Sequence, residues 1–187
     1  MKYKHVALVA VSGTGKGTIS KCLMLLIAGL RTAVSATTRS PRDGEIEGVH
    51  YYFLTRTVFM EKIEAGEFAE WFEYNGNLYG TLLSEVEKRE KEGLPILFDI
   101  EINGAMMLKK SLGERLITVF LDCPIEECEK RLRNRDIVAT EEYIQSRMLI
   151  GREEEIPRKH ECDELVWYGV GADPAFTSNE IANLMRA

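Results

Sequence analysis

The sequence has no apolar run long enough to cross a membrane, few histidines and cysteines, and no excess of positive charge. The longest apolar run, residues 22–30, is far shorter than the ~20 residues of a membrane-spanning helix, and no secretory signal opens the chain. The four cysteines form no C-x-x-C pair and the three histidines are scattered. Free thiols in a reducing compartment are therefore expected, with neither a zinc site nor a disulfide framework.

A net charge of −6 argues against a whole-surface attraction for nucleic acid. We expect a cytoplasmic protein that binds neither membranes nor nucleic acid and holds anionic ligands with local basic clusters.

The 187 residues are 45% hydrophobic and 29% charged, the balance of a globular domain with a real core. Three short, nearly all-apolar runs read as strands buried on both faces, and each precedes a helical pattern. The strands are residues 6–10, 96–100 and 116–122, and the helices are residues 18–30, 104–112 and 125–134. This alternation indicates an α/β fold with a parallel sheet.

Two excursions interrupt this pattern. Between residues 35 and 93, aromatic and charged residues interleave in short alternating pieces, which predicts a small antiparallel insert. Residues 82–92 read as an amphipathic helix that returns to the core. The second excursion, within residues 131–152, is rich in arginine and glutamate, a mixture that is also common on solvated helix faces. With no repeats and no low-complexity linker, we expect one unit with two insertions.

The stretch AVSGTGKGT, residues 10–18, follows the first predicted strand and resembles a phosphate-binding loop. Ala10 stands where the G-x-x-x-x-G-K-[ST] pattern has its first glycine, and Gly17 stands where it has a hydroxyl. Backbone N–H groups at a helix N-terminus bind phosphate, and Lys16 can add a point charge. Thr18 supplies a hydroxyl one residue late. The residues expected to bind the phosphates are Ser12, Gly13, Thr14, Gly15, Lys16, Gly17 and Thr18.

The insert carries the most specific signal. SATTRSPRDGEIEGVHYYF, residues 35–53, and FAEWFEYNGNLYGT, residues 68–81, closely resemble the guanylate kinase family. That family reads S-x-T-T-R-x-P-R-x-G-E-x-x-G-x-x-Y-x-F and later E-W with G-N-x-Y-G-[ST], and often has G-K-G-T in its loop. The resemblance implies a P-loop nucleoside monophosphate kinase fold, with helices on both faces of a parallel core sheet. It divides the single domain into a core (1–34 and 94–187), a small mixed GMP-binding insert (35–93) and a short helical lid (132–150).

The same resemblance implies roles for individual residues. Those expected to hold the GMP phosphate are Ser35, Arg39, Arg42, Tyr51 and Tyr79, with Glu45 orienting the arginines. Glu70 and Thr81 fall where the family reads guanine, whose N1–H and N2–H edge suits a carboxylate acceptor. Asp99 and Glu101 match an acidic pair in the GMP site, although the family usually has aspartate at the second place. Asp99, through water, and Thr18 would lie at Mg²⁺. The catalytic residues are expected to be Lys16, Arg39, Asp99, Arg135 and Arg147.

The lid and the C-terminal part depart from the family pattern. Arg135 and Arg147 occupy the two arginine places of the lid, but Asp136 replaces a glycine and the spacing is one residue longer. DELVWYGVGAD, residues 163–173, lacks the asparagine usually found after the last strand, so the resemblance assigns no adenine-binding residues.

The resemblance implies a guanylate kinase that converts MgATP and GMP, and also dGMP, to ADP and the nucleoside diphosphate, as a monomer or homodimer. One alternative is a catalytically inactive, guanylate kinase-like module that grips phosphopeptides. Such modules typically lose the loop lysine, whereas this chain has Lys16. The other alternative, a kinase for a different nucleoside monophosphate, is opposed by Glu70.

Overall fold

The computed structural model describes residues 2–74, 76–135 and 140–186. The strands in these ranges are β1 His5–Val9, β2 Arg31–Thr32, β3 Ala36–Thr37, β4 Tyr52–Phe53, β5 Phe68–Tyr74, β6 Asn77–Leu82, β7 Ile96–Asp99, β8 Leu116–Asp122 and β9 Glu164–Trp167. The α-helices are α1 Lys16–Leu26, α2 Arg56–Glu64, α3 Leu83–Lys91, α4 Ile102–Leu112, α5 Ile125–Arg135, α6 Glu141–Ile150, α7 Ile156–Arg158 and α8 Pro174–Leu184. Two 3-10 turns, Gly113–Arg115 and Lys159–Glu161, and one π-helical turn, Gly151–Glu155, complete the secondary structure.

Five strands form the central sheet in the order β2-β7-β1-β8-β9, and every neighbouring pair is parallel. Side chains of β1 alternate between its two faces: Val6 and Leu8 pack with α1 and α8, and Ala7 and Val9 pack with α4, α5 and α6. Both faces are therefore buried, which is why the strand sequences are continuously apolar rather than alternating. The predicted α/β fold with helices on both faces is confirmed.

The second sheet has four short strands in the order β4-β3-β6-β5 and lies within the predicted insert, 35–93. It surrounds a small core of its own, in which the rings of Phe59 on α2 and Phe68 on β5 stack 4.3 Å apart. The insert is mixed, as the resemblance implies, and not antiparallel as the alternating pieces suggest, because β3 and β4 pair in parallel. The connection between them, residues 38–51, is longer than a hairpin turn. It returns the chain to the end of the sheet where β3 begins, so that β4 runs in the same direction as β3.

Helix boundaries follow from capping residues and turns. Thr140 caps α6 by accepting a hydrogen bond from the backbone N–H of Tyr143, and Asp173 caps α8 in the same way at Ala175. Helix α1 ends earlier than the predicted residue 30, because Gly29, with a φ of 82°, lies in the turn that leads to β2.

No helix in the described ranges has the length and apolar character that a membrane crossing requires.

Candidate active site

Two cavities meet at the carboxyl ends of β1 and β7, where parallel α/β sheets bind their ligands. The first cavity, about 610 Å³, is lined by the glycine loop and by residues of α6 and the π-helical turn. The second, about 260 Å³, lies between the insert and β7. Phe72, Asp99 and Ile100 line both cavities. A group bound in one cavity would therefore face a group bound in the other across Asp99.

The glycine loop forms one end of the first cavity. Gly13 and Gly15 have φ values of 91° and 105°, a left-handed conformation that other residues rarely adopt. At Gly13 a Cβ atom would lie 2.1 Å from the carbonyl oxygen of Cys128, so this position also needs glycine for space. The loop ends at the N-terminus of α1, where free backbone N–H groups and the helix dipole favour an anion.

Six of the seven predicted loop residues line this cavity: Ser12, Gly13, Gly15, Lys16, Gly17 and Thr18. Thr14 differs, because its side chain is buried beneath the loop, with Oγ1 3.2 Å from Sγ of Cys128. Thr14 therefore does not line the cavity, and its backbone N–H donates to the carbonyl oxygen of Val11 at 3.1 Å. Thr18 is exposed, so its hydroxyl is available to a ligand or to a metal that a ligand carries.

Charged groups converge from three elements on the loop. Nζ of Lys16 lies 2.8 Å from Oδ1 of Asp99, at the end of β7, and donates a hydrogen bond to the carbonyl oxygen of Ile100 at 2.9 Å. Arg147, on α6, donates from Nε to Oγ of Ser12 at 2.8 Å. The structure thus brings two predicted catalytic cations to one cavity. The predicted lid also includes Arg135, whose side chain lies outside the described residues, as does Asp136.

The second cavity presents a buried carboxyl group. Glu70 on β5 is paired in register with Thr81 on β6, and the two residues are only 3% and 2% exposed. Burial raises the pKa of Glu70 to about 7, although hydrogen bonds from Thr81 oppose this. Oε2 of Glu70 is buried with no hydrogen-bond partner among the described residues. An unsatisfied buried acceptor is costly, so this atom indicates a ligand that donates hydrogen bonds.

The remaining predicted residues of the insert form a neighbouring cluster. Ser35, Tyr51 and Tyr79 line the second cavity, whereas Arg39, Arg42 and Glu45 do not. The guanidinium of Arg39 lies 5.5 Å from the ring centre of Tyr51 and donates to Glu45 at 2.7 and 3.0 Å. The backbone N–H of Arg42 donates to the same carboxylate at 2.7 Å. These hydrogen bonds, from Arg39 above all, lower the pKa of Glu45 to about 2, so Glu45 stays ionised and fixes the arginine beside the cavity.

Glu101 occupies a different place from the one expected of a GMP-binding residue. It lines the first cavity and not the second. Its two carboxylate oxygens accept hydrogen bonds from the backbone N–H groups of Asn103 and Gly104, both at 2.7 Å. Glu101 thus caps α4.

Seven residues that line the first cavity are absent from the sequence-based set: Ala10, Val11, Lys21, Phe72, Ile100, Tyr143 and Glu155. Phe72 could have been found, because it follows Glu70 by two positions and therefore lies on the same face of β5. Its ring stacks on Tyr79 at 5.5 Å. Tyr143 and Glu155 lie in the charged stretch after residue 140, where nothing local separates a cavity residue from a solvated one.

Known proteins are similar to this chain in sequence and in fold. Residues 2–166 match the model of the guanylate kinase family. A guanylate kinase of Synechococcus sp. is 41% identical over 178 residues, 95% of each chain. One of Fusobacterium nucleatum is 42% identical over 137 residues, 73% of each chain. A crystal structure of guanylate kinase from Anaplasma phagocytophilum has a TM-score of 0.65 and 25% identity, covering 98% of this chain and 85% of that one. The resemblance found in the insert motifs is therefore confirmed: the chain belongs to the guanylate kinase family, and its function is that of a guanylate kinase.

Proposed function

We propose that the chain transfers the γ-phosphoryl group of MgATP to GMP, with ATP in the first cavity and GMP in the second. The observation that carries this assignment is the shared wall at Asp99, which separates an anion-binding loop from a buried carboxyl acceptor. Two substrates placed in this way would meet with their phosphates near Lys16. Such positioning converts a reaction between two molecules into an effectively intramolecular step.

On the ATP side, the backbone N–H groups of the glycine loop and Nζ of Lys16 would hold the outer phosphates. Lys16 already lies at the cavity, where Asp99 and Ile100 hold its ammonium group. The Mg²⁺ that accompanies ATP prefers oxygen ligands and keeps several waters. The hydroxyl of Thr18 and the carboxylate of Asp99, acting through water, have the chemistry that such an ion takes.

On the GMP side, Glu70 and Thr81 would read the base. Guanine offers two adjacent donors, N1–H and N2–H, and the buried Glu70 carboxyl has an unpartnered acceptor, Oε2. Adenine presents an acceptor at N1, so it would leave this group unsatisfied. Ser35, Arg39, Arg42, Tyr51 and Tyr79 would then hold the phosphate, and Glu45 would keep Arg39 in place. Glu101 is the exception, since its oxygens cap α4 and it would act only indirectly.

The chemical step needs little proton transfer, because the acceptor phosphate of GMP is ionised near neutral pH. Rate enhancement would come from charge neutralisation by Lys16, Mg²⁺ and the lid arginines Arg135 and Arg147. Closing of the insert (35–93) and the lid (132–150) over the substrates would exclude water and so suppress ATP hydrolysis.

A coupled assay of ADP release tests this proposal. Purified protein is supplied with MgATP and, separately, with GMP, dGMP, AMP, CMP and UMP. We expect turnover with GMP and dGMP and little with the others. Absence of turnover with every acceptor, combined with phosphopeptide binding at the Arg39 site, would instead support a protein-binding module. Preference for another nucleotide would overturn the role given to Glu70. We further propose a cytoplasmic monomer or homodimer that uses no nucleic acid or membrane partner.

A further inference from the structure

One buried acid of the first cavity has no part in the roles proposed above. Glu155 is 5% exposed and lines the cavity, whereas its neighbours Glu153 and Glu154 are exposed. All three lie in the π-helical turn Gly151–Glu155. A carboxyl group buried at a site for anionic substrates is costly, because it repels phosphate unless cations accompany it. Its position therefore needs an explanation.

The π-helical turn sets the direction of Glu155. Arg147 and Glu155 are eight residues apart, and in a regular α-helix that spacing would place them about 80° apart around the axis. Here the backbone N–H of Ile156 bonds to the carbonyl oxygen of Gly151, five residues earlier, so the turn holds one additional residue. The extra residue cancels most of the rotation. Arg147 and Glu155 consequently face the same cavity.

A close contact holds this turn against the glycine loop. Gly151 packs on Val11 so tightly that a Cβ atom on the glycine would lie 2.7 Å from Cγ1 of Val11. Val11 is itself buried, at 3% exposure, and precedes the loop residues that line the cavity. The turn and the loop therefore form one packed unit, and the position of Glu155 relative to Lys16 is set by that packing.

Electrostatics link Glu155 to two of the cations that line the first cavity, Lys16 and Arg147. Burial raises the pKa of Glu155 to about 7, and the positive charges of Lys16 and Arg147 oppose this rise. Lys16 has Asp99 as an ion-pair partner, but among the described residues no carboxylate forms an ion pair with Arg147, whose guanidinium contacts Ser12. Glu155 is thus linked electrostatically to Lys16 and to Arg147, and Asp99 and Glu101 are the other acidic residues that line this cavity.

We propose that Glu155 is a positioning residue for phosphoryl transfer, acting through Lys16 and Arg147, whose charged groups it holds at the loop end of the first cavity. Two like charges kept together without substrate repel each other. With its pKa near 7, Glu155 is about half ionised at neutral pH, and its ionised form offsets that repulsion and constrains both cations. The inference rests on the proposed function, because it assumes that the two cations stabilise the transferring phosphoryl group.

The test compares three variants with the wild type by kcat, KM for GMP and melting temperature. Glu155→Gln keeps the shape and removes the charge, Glu155→Asp keeps the charge, and Glu154→Gln removes an exposed charge one residue away. We expect Glu155→Gln to lower kcat about tenfold, because misplaced charge weakens transition-state stabilisation. KM for GMP should stay within about twofold and the melting temperature should not fall. Glu155→Asp should retain more kcat than Glu155→Gln, and Glu154→Gln should match the wild type.

A second measurement asks whether Glu155 acts through the cations. In an Arg147→Ala background, Glu155→Gln should cost clearly less in kcat than it does in the wild type, since one of its two targets is gone. Four results would overturn the proposal: unchanged or raised kcat in Glu155→Gln, a loss that accompanies a lowered melting temperature, a worse kcat in Glu155→Asp, or equal losses in both backgrounds. A wild-type protein that does not phosphorylate GMP would instead refute the proposed function.

Discussion

Nζ of Lys16 and Oδ1 of Asp99 lie 2.8 Å apart, joining the glycine loop to the end of β7. Asp99 also lines the second cavity, so this ion pair stands at the boundary between the two proposed substrates. Both side chains are partly exposed, which means that solvent weakens the pair and an arriving triphosphate can compete for the lysine. The pair therefore pre-orients Lys16 without locking it.

Lys16→Met is expected to lower kcat by about 100-fold or more, the cost of removing one group that stabilises developing charge. GMP binding, measured by calorimetry, should barely change, because Lys16 lines only the first cavity. Lys88→Met, which removes an exposed lysine on α3, serves as the control and should match the wild type. Near-normal turnover in Lys16→Met would contradict the role given to this lysine.

Thr18→Ala should raise the magnesium concentration required for half-maximal activity, because Thr18 supplies the hydroxyl that is missing at Gly17. The decrease in kcat at saturating Mg²⁺ should be milder than in Lys16→Met. The measurement is a Mg²⁺ titration at fixed ATP, with Thr57→Ala, an exposed threonine on α2, as the matched control. If the titration curves of the two variants coincide, Thr18 does not take part in holding the metal.

Arg147→Ala should lower kcat much more than it weakens GMP binding, since the arginine is proposed to stabilise charge in the transition state. In the empty protein, Arg147 contacts only the hydroxyl of Ser12 among the hydrogen bonds described, so its loss should cost little stability. Arg152→Ala, in the adjoining π-helical turn and with a half-exposed side chain, is the control. A raised KM with an intact kcat would show that Arg147 only binds the ground state.

Glu70→Gln should lower GMP affinity by about tenfold to several hundredfold, because the amide replaces one acceptor with a donor that meets a guanine N–H; an unsatisfied buried group costs roughly 1–3 kcal/mol, or more when charged. AMP, with an acceptor at N1, should lose little. The measurement is kcat/KM for GMP and for AMP in both proteins. An unchanged ratio would mean that Glu70 does not read the base.

The same variant should change how stability depends on pH in the empty protein. The pKa of Glu70 is raised from 4.5 to about 7, so the folded state keeps a proton that the unfolded chain releases, and wild-type stability falls as pH rises through this window. Glu70→Gln removes that penalty, which is on the order of 3 kcal/mol. It should melt several degrees above the wild type at about pH 8 and show a smaller gap at about pH 5.

Glu73→Gln, on the exposed side of β5, is the control for this experiment and should melt like the wild type at both pH values. A constant difference between Glu70→Gln and the wild type across the pH range would show that burial does not perturb Glu70. Improved stability together with lost GMP affinity would show that the protein gives up stability for recognition at this residue.

The parallel sheet, the glycine loop and the family could all be predicted from the residues alone. Short apolar runs at residues 6–10 and 116–122, each followed by a helical pattern, favour strands that are buried on both faces. The glycine loop is recognised from adjacent residues alone, since its glycines and lysine are close together in the chain. The insert motifs could also be recognised from the sequence, because the residues of each motif lie within one short stretch of the chain. Even the antiparallel pairing of β5 with β6 could be predicted from alternation, whereas the parallel pairing of β3 with β4 could not.

Which charged groups meet depends on how distant parts of the chain pack together. The ion pair between Lys16 and Asp99 joins residues far apart in the chain, and it depends on the register of β1 against β7. Glu101 matches the acidic position of the family motif, yet its carboxylate caps α4. Among the three consecutive glutamates at 153–155, the sequence is uniform, and the wide turn from Gly151 directs only Glu155 into the cavity. The direction of a side chain depends on accumulated backbone rotation and on what packs against the helix, which local composition does not encode.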